Sequence, residues 1–328
     1  MILHICANEG DKLKNREEER LLIKIARMYY EEGMTQGAIA KELGIYRTTI
    51  GRMLKKAREK GIVTITIRGD SADRIFDLEY QLEKTFQLKE AIIVPSERDH
   101  SPEEKKKAIG RAGADLLKRI VRDHDVVGFA WGSTLAGMVG QFSDIKQRRA
   151  DFVPLVGGPG TMDSKYHVNT IVYNVANAFG GTTHFIDAAA IVEKKETRDD
   201  IMRSHYFRKI LDLWRNLTIA VVGIGAPISS SNMIWTGFFG DMEIQELNRL
   251  GAIGEICSRY FDREGNLLHP EVNERTVAIE LDRLKNLKYS IGMAESVEKV
   301  PSIIGAMKGR YINVLISNEE TAEAILNS

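Results

Sequence analysis

The chain reads as an α/β domain with helices flanking a mostly parallel sheet, preceded by a small all-α domain. Three observations carry this reading. Short apolar runs alternate with helical stretches from about residue 90; residues 35–54 form two short helical patterns around a tight turn; and basic residues concentrate in one segment of a chain whose 46 Lys and Arg balance 46 Asp and Glu. At 328 residues and 43% hydrophobic content, there is chain enough for a domain of about 70 residues and a larger one with a substantial core.

Taken in order, the opening MILHICANEGDK has a short apolar run that meets acids at once, unlike a secretory leader, and residues 1–15 are expected to be a disordered extension. No later run approaches the length of a membrane span, so no membrane partner is expected. Cys6 and Cys257 lie far apart without neighbouring ligands, and the seven histidines, His167, His184 and His205 among them, lack metal-ligand spacing. Neither disulfide nor metal is expected, and a reducing cytoplasm fits.

Residues 16–69 read as a helix-turn-helix domain. Glu18 to Glu31 puts Leu21, Leu22, Ile25, Met28 and Tyr29 near one helical face, with Gly33 ending the helix. The paired tyrosines read as core rather than as a base-stacking platform. Thr35 sits at an N-cap position; Ile39, Ala40 and Leu43, then Ile45, Ile50, Met53 and Leu54, give each half of the pair a buried face, and Gly44 supplies the turn. Residues 41–68 carry eight Lys/Arg against two acids, about +6, and residues 1–68 as a whole carry 14 against nine, which leaves residues 69–328 near −5. A charge run alone is a solvated helix face. Following this turn, Arg47, Arg52, Lys55, Lys56 and Arg58 instead lie where a recognition helix meets bases and phosphates of double-stranded DNA. The expected DNA-facing set is Thr35, Gln36, Tyr46, Arg47, Thr48, Thr49, Arg52, Lys55 and Lys56. Gly61 ends the helix, and Val63 to Ile67 alternates as a short strand that would make the domain winged.

Arg68-Gly69-Asp70-Ser71 reads as a linker, and residues 70–328 as the second domain. A helix from about Ala72 to Gln87 carries an Ile75, Leu78, Leu82, Phe86 stripe, suited to self-association or to docking on its own domain. Strand-like runs follow at 91–95, 126–131, 152–158, 186–192, 217–225, 277–281, 289–294 and 312–317, with helices near 103–121, from 133 and around 241–249. In such a sheet, ligands belong beyond the strand carboxyl ends. Gly132-Ser133-Thr134 follows one strand and starts a helix, offering free amides, hydroxyls and a helix dipole to an anion such as phosphate. Gly157 and Gly158, and Gly225, would let backbone approach a ligand closely. Asn169, Asp187, Asp241, Glu255 and Lys299 stand near other element ends, where a sugar needs acceptors for hydroxyls and a cation for its phosphate. Without G-x-G-x-x-G or a Gly-Lys-Ser/Thr phosphate loop, no nucleotide cofactor is expected.

Six ordered blocks carry a family resemblance: LLIKIARMYYEEGMTQGAIAKELGIYRTTIGRMLKKAREKGIV, VVGFAWGSTL, DFVPLVGG, LTIAVVGIGAP, GAIGEICSRYFDREG and EKVPSIIGAMKGRYINVLISNEETAEAIL. Over residues 17–327 the chain resembles the SorC family of bacterial transcriptional regulators of sugar catabolism. The resemblance implies a DNA-binding domain, an effector domain similar in fold to sugar-phosphate isomerases, and a dimer or tetramer. It also implies a sugar effector, typically phosphorylated, near the Gly-Ser-Thr turn. Carried over by residue, Gly132, Ser133 and Thr134 match the phosphate-holding turn, Glu255 the acid of the GEI block and Lys299 the lysine of the EK block. The chain departs from the family at Ala294-Glu295-Ser296, where many members have Gly-Gly, and at Asp187 to Ala190, where a proline is usual. The expectation is therefore a cytoplasmic, sugar-responsive regulator of a carbohydrate operon, acting as a repressor. The alternatives are a sugar-phosphate isomerase or deaminase with a DNA-binding appendage, for which no compact acid/base motif is present, and a ligand-free DNA-binding scaffold.

Overall fold

The computed structural model describes residues 3–64, 71–96, 101–143, 145–160, 162–226 and 240–328, with backbone alone over 3–16 and 71–73. The chain divides into two compact units, Met1–Gly69 and Asp70–Ser328.

Among its described residues the first unit holds three helices, α1 (Leu3–Tyr30), α2 (Gln36–Leu43) and α3 (Arg47–Glu59). The helix expected from Glu18 thus begins much earlier, through residues expected as an extension, because the Lys-, Arg- and Glu-rich stretch after residue 10 favours helix propagation. Ile25 and Met28 of α1 meet Ile39 of α2 and Ile50 and Leu54 of α3 in one apolar cluster, and Tyr29 packs against it. Thr35 caps α2 by accepting from the Ala38 amide at 3.2 Å. Gly44 closes α2 at φ 66°, a left-handed conformation that costs a side-chain-bearing residue, and its amide returns to Ala40 O. Residues 65–67 of the expected wing strand and 68–70 of the expected linker lie outside the described residues.

In the second unit, α4 (Ser71–Phe86) precedes a parallel sheet of seven strands. They are β1 (Glu90–Val94), β2 (Val126–Phe129), β3 (Asp151–Pro154), β4 (Thr182–Thr183), β5 (Ile219–Gly223), β8 (Tyr289–Met293) and β9 (Val314–Asn318), in the spatial order β1-β9-β8-β5-β2-β3-β4. Strands β2 and β9 are buried at every residue, as expected of a parallel sheet covered on both faces. The main helices of the covering layers are α5 (Pro102–Ile120), α7 (Val168–Phe179), α9 (His205–Arg215) and α12 (Glu319–Leu326). Phe129, Phe152 and Phe179 stack through the core with centroids 6.4 and 5.6 Å apart. Smaller elements are α6 (Ser133–Ala136), α8 (Lys195–Arg203), α10 (Asp241–Leu250), α11 (Val300–Lys308) and a hairpin of β6 (Gly254–Ile256) with β7 (Arg259–Phe261).

Strand β1 is an edge, and α4 covers it in an unusual way. The outward amides of Ala91 and Ile93 donate to Glu83 Oε1 and Glu79 Oε1 at 3.0 and 2.8 Å, so two carboxylates one helical turn apart take the place of a neighbouring strand.

Two runs expected as strands are not sheet members. Residues 186–192 and 277–281 run extended past the end of β3 and make only isolated bridges, Gly158 with Ala189, Ile191 with Thr276 and Val156 with Ala278. A buried extended connection has the same apolar texture as a buried strand.

Candidate functional sites

In the first unit, α3 presents its opening turn to solvent. Tyr46 is 84% exposed, Arg47 and Thr48 are exposed, and Arg52 donates through Nη2 to Thr49 Oγ1 at 3.3 Å, which orients the guanidinium along the helix face. Gln36, at the first position of α2, lies against Gly51 of α3, with its Oε1 3.4 Å from where a Cβ would stand. The two lysines expected at phosphates are already engaged. Lys55 pairs with Glu59 at 3.8 Å, and Lys56 makes an ion pair with Glu18 of α1 that holds the Glu18 carboxyl below its usual range. Lys56 therefore ties α3 to α1, a role its position in a basic run does not disclose.

In the second unit, a cleft of about 550 Å³, open solvent included, lies beyond the carboxyl ends of β2, β5 and β8. The chain runs outward from β2 to β3 and β4, then returns to place β5 on the other side of β2. That reversal opens a crevice where α/β sheets receive ligands. Gly132, Ser133, Thr134, Gly225, Glu255 and Lys299 all line it.

The Gly132 turn enters α6 at φ 138°, with its amide donating to Tyr166 O, and no side chain caps the helix. The first amides of such a turn have no intrahelical acceptor and face an incoming anion. Glu255 is placed by backbone: its amide and carbonyl pair with Gly225 at 2.9 and 3.0 Å, carrying β6 across the end of β5. A Cβ on Gly225 would collide with Glu255 Oε1, so glycine is required for the carboxylate to occupy the cleft wall. Glu255 Oε2 accepts from the Ser258 amide at 2.9 Å.

Burial raises the Glu255 carboxyl above its ordinary value, opposed by the Ser258 amide and the Lys299 charge. Burial likewise lowers the Lys299 ammonium, opposed by Glu295 and Glu255 and reinforced by Lys106. Lys299 ends a short 3-10 turn entered through Ser296 at φ 109°, a conformation normally left to glycine, at the point where the family resemblance puts Gly-Gly. Ser296 is held there by its amide bond to Thr321 Oγ1 at 3.0 Å. The cleft thus combines amide donors, hydroxyls and an ammonium with one carboxylate, a set that receives an anionic group and hydroxyls on one small molecule.

The other expected effector residues lie outside this lining. The Gly157 amide donates to Val277 O, and Gly158 exchanges backbone bonds with the 188–190 segment. Asn169 clamps Ile186, donating to its carbonyl at 3.1 Å and accepting from its amide at 3.2 Å. Asp187 accepts from the Tyr206 hydroxyl at 3.2 Å, and Asp241 is the exposed first residue of α10. Gly157, Gly158, Asn169 and Asp187 thus serve local backbone and tyrosine partners. Sequence reasoning missed Cys257 and Ser258, which line the cleft from the two-residue turn between β6 and β7. GEI and RYF flanking two residues is a hairpin spacing, but Cys-Ser is not a recognised turn pair.

Residues 70–327 match the Sugar-bind family of sugar-binding domains, and residues 14–64 match a homeodomain-like helix-turn-helix domain. The sorbitol operon regulator of Klebsiella pneumoniae is 42% identical over 316 residues, covering 96% of this chain and 100% of the relative. The deoxyribonucleoside regulator of Bacillus subtilis is 30% identical, covering 95% and 99%. The crystal structure of full-length SorC from Klebsiella pneumoniae superposes with a TM-score of 0.74 at 42% identity, over 94% of this chain and 98% of that one. The helix-turn-helix unit and the parallel-sheet unit each match, and the chain belongs to the SorC family of sugar-responsive transcriptional regulators.

Proposed function

We propose that this regulator binds operator DNA through the exposed face of α3 and answers to a sugar or sugar alcohol, phosphorylated in the simplest case, held in the cleft of the second unit. The observation that carries the reading is the meeting of the Gly132-Ser133-Thr134 turn, Glu255 and Lys299 in one cleft at the point where strand order reverses. The turn and Lys299 suit a phosphate, and Glu255 accepts from ligand hydroxyls. The regulator works in the cytoplasm as a homodimer or homotetramer, since paired helix-turn-helix units match a two-fold operator. Catalysis is not part of the role: of the three carboxylates that could make an acid/base set, Asp187 and Asp241 lie outside the lining that holds Glu255, and the relatives are named as regulators.

Calorimetry with D-sorbitol, D-sorbitol 6-phosphate and a panel of other sugars and sugar phosphates tests this, with direct assay for turnover of any bound compound. Ser133→Ala, Thr134→Ala and Lys299→Ala are expected to lose effector binding while retaining ligand-free operator affinity. Normal binding by all three variants overturns the site, and turnover overturns the regulator-only reading.

A further inference from the structure

The β6–β7 hairpin turns through Cys257 at φ 52° and Ser258 at φ 60°, two side-chain-bearing residues in the left-handed region. Asn-Gly or Gly-Gly makes such a turn at lower cost. The side chains that make this turn expensive also anchor it: Cys257 is 5% exposed and belongs to the main apolar core, and Ser258 is 1% exposed. Between them the chain sends the Ser258 amide back to Glu255 Oε2 at 2.9 Å, while Glu255 Oε1 lies against Gly225.

We infer that the Cys257–Ser258 turn is a positioning device for Glu255, locking its carboxylate in one orientation so that its remaining lone pairs accept hydroxyl hydrogens from a polyhydroxylated effector. This rests on the reading of the cleft as the effector site. A free glutamate has three side-chain torsions and would need ordering on each binding event; one held at Oε2 by the Ser258 amide is ordered beforehand. Strain held by an anchored turn beside a ligand site is the pattern expected when orientation matters more than local stability. Cys257 and Ser258 act through Glu255 and are positioning residues. The thiol, pushed up by burial and by Glu255, stays protonated and takes no reactive part.

The test follows the residue-258 amide proton by NMR in the full-length protein across pH. In the wild type this amide is expected to shift with a midpoint above the ordinary glutamate value, the shift vanishing in Glu255→Gln. In the double variant C257G/S258G, the turn loses its buried anchors and frees the carboxylate, so the size of the pH-dependent shift at the residue-258 amide should shrink. Cys257→Gly alone, which keeps the Ser258 side chain, should reduce the amplitude in the same direction, so loss of folding in the double variant leaves a second comparison. With D-sorbitol 6-phosphate as probe, the double variant is expected to bind at least tenfold more weakly. A silent residue-258 amide in the wild type, or a double variant with unchanged shift amplitude and affinity, overturns the inference. A wild type that titrates as expected but binds no probe in the sugar panel sinks the effector reading and leaves the positioning role standing.

Discussion

Arg47 and Thr48 open α3 toward solvent, while Thr49 gives its hydroxyl oxygen to Arg52 and so orients that guanidinium along the helix face. Arg47→Ala and Thr49→Ala are therefore expected to weaken operator binding by about 1–3 kcal/mol for each base no longer read and to relax sequence preference. Mobility shifts on operator and scrambled duplex at two salt concentrations measure both effects; unchanged affinity in both variants would refute the assignment of α3. In the cleft, the raised Glu255 value has a stability consequence of definite sign. The folded chain holds the proton where the unfolded chain has released it, so stability falls as pH rises from the ordinary glutamate value through the raised one. Glu255→Gln should flatten that decline and melt higher than wild type above it, as a series of thermal melts across pH would show. The residues at this level were unequally legible. Gly132, Ser133, Thr134, Glu255 and Lys299 sit in distinctive blocks, whereas Asn169 and Asp187 have the same polar character at element ends and serve backbone and tyrosine partners instead.

Among the elements, α4 shows how a stripe leaves its partner unspecified. Leu78 and Leu82 face inward on its own domain, yet the carboxylates on the flank, Glu79 and Glu83, determine what the helix does for β1. Their removal would leave the Ile93 and Ala91 amides without acceptors and open the edge to pairing with another chain. Glu79→Ala and Glu83→Ala are each expected to cost about 1–3 kcal/mol, and the double variant to aggregate, readable by denaturant titration and light scattering. Stability unchanged in either single variant would show that water replaces the carboxylate. The helices of the first unit were readable because caps and apolar spacing are local: Thr35 and Gly44 mark the bounds of α2 within ten residues. The extended segments 186–192 and 277–281 were not, since apolar content alone does not say whether a run joins a ladder.

At the level of the whole molecule, a ligand in the cleft alters operator affinity only if it binds the competent and incompetent arrangements unequally. A true effector should also raise thermal stability, by about 2.7 kcal/mol at a hundredfold excess over its dissociation constant, and the rise should disappear in Lys299→Ala. A thermal-shift screen of free and phosphorylated sugars reads this directly; a stabilising sugar whose effect survives in Lys299→Ala would place the pocket elsewhere. Windows of ten to twenty residues were enough to specify the helix-turn-helix unit, the alternation of apolar runs and helices, and the glycine-serine turn, because capping, periodicity and turn chemistry are properties of near neighbours. Which of those turns share a cleft depended on strand order: β5 returns beside β2, and the β6–β7 hairpin crosses its end to deliver Glu255. Pairings between residues a hundred positions apart are settled by burial of the sheet's two faces and by closure of the hydrogen-bond ladder, energies that no local stretch of chain contains.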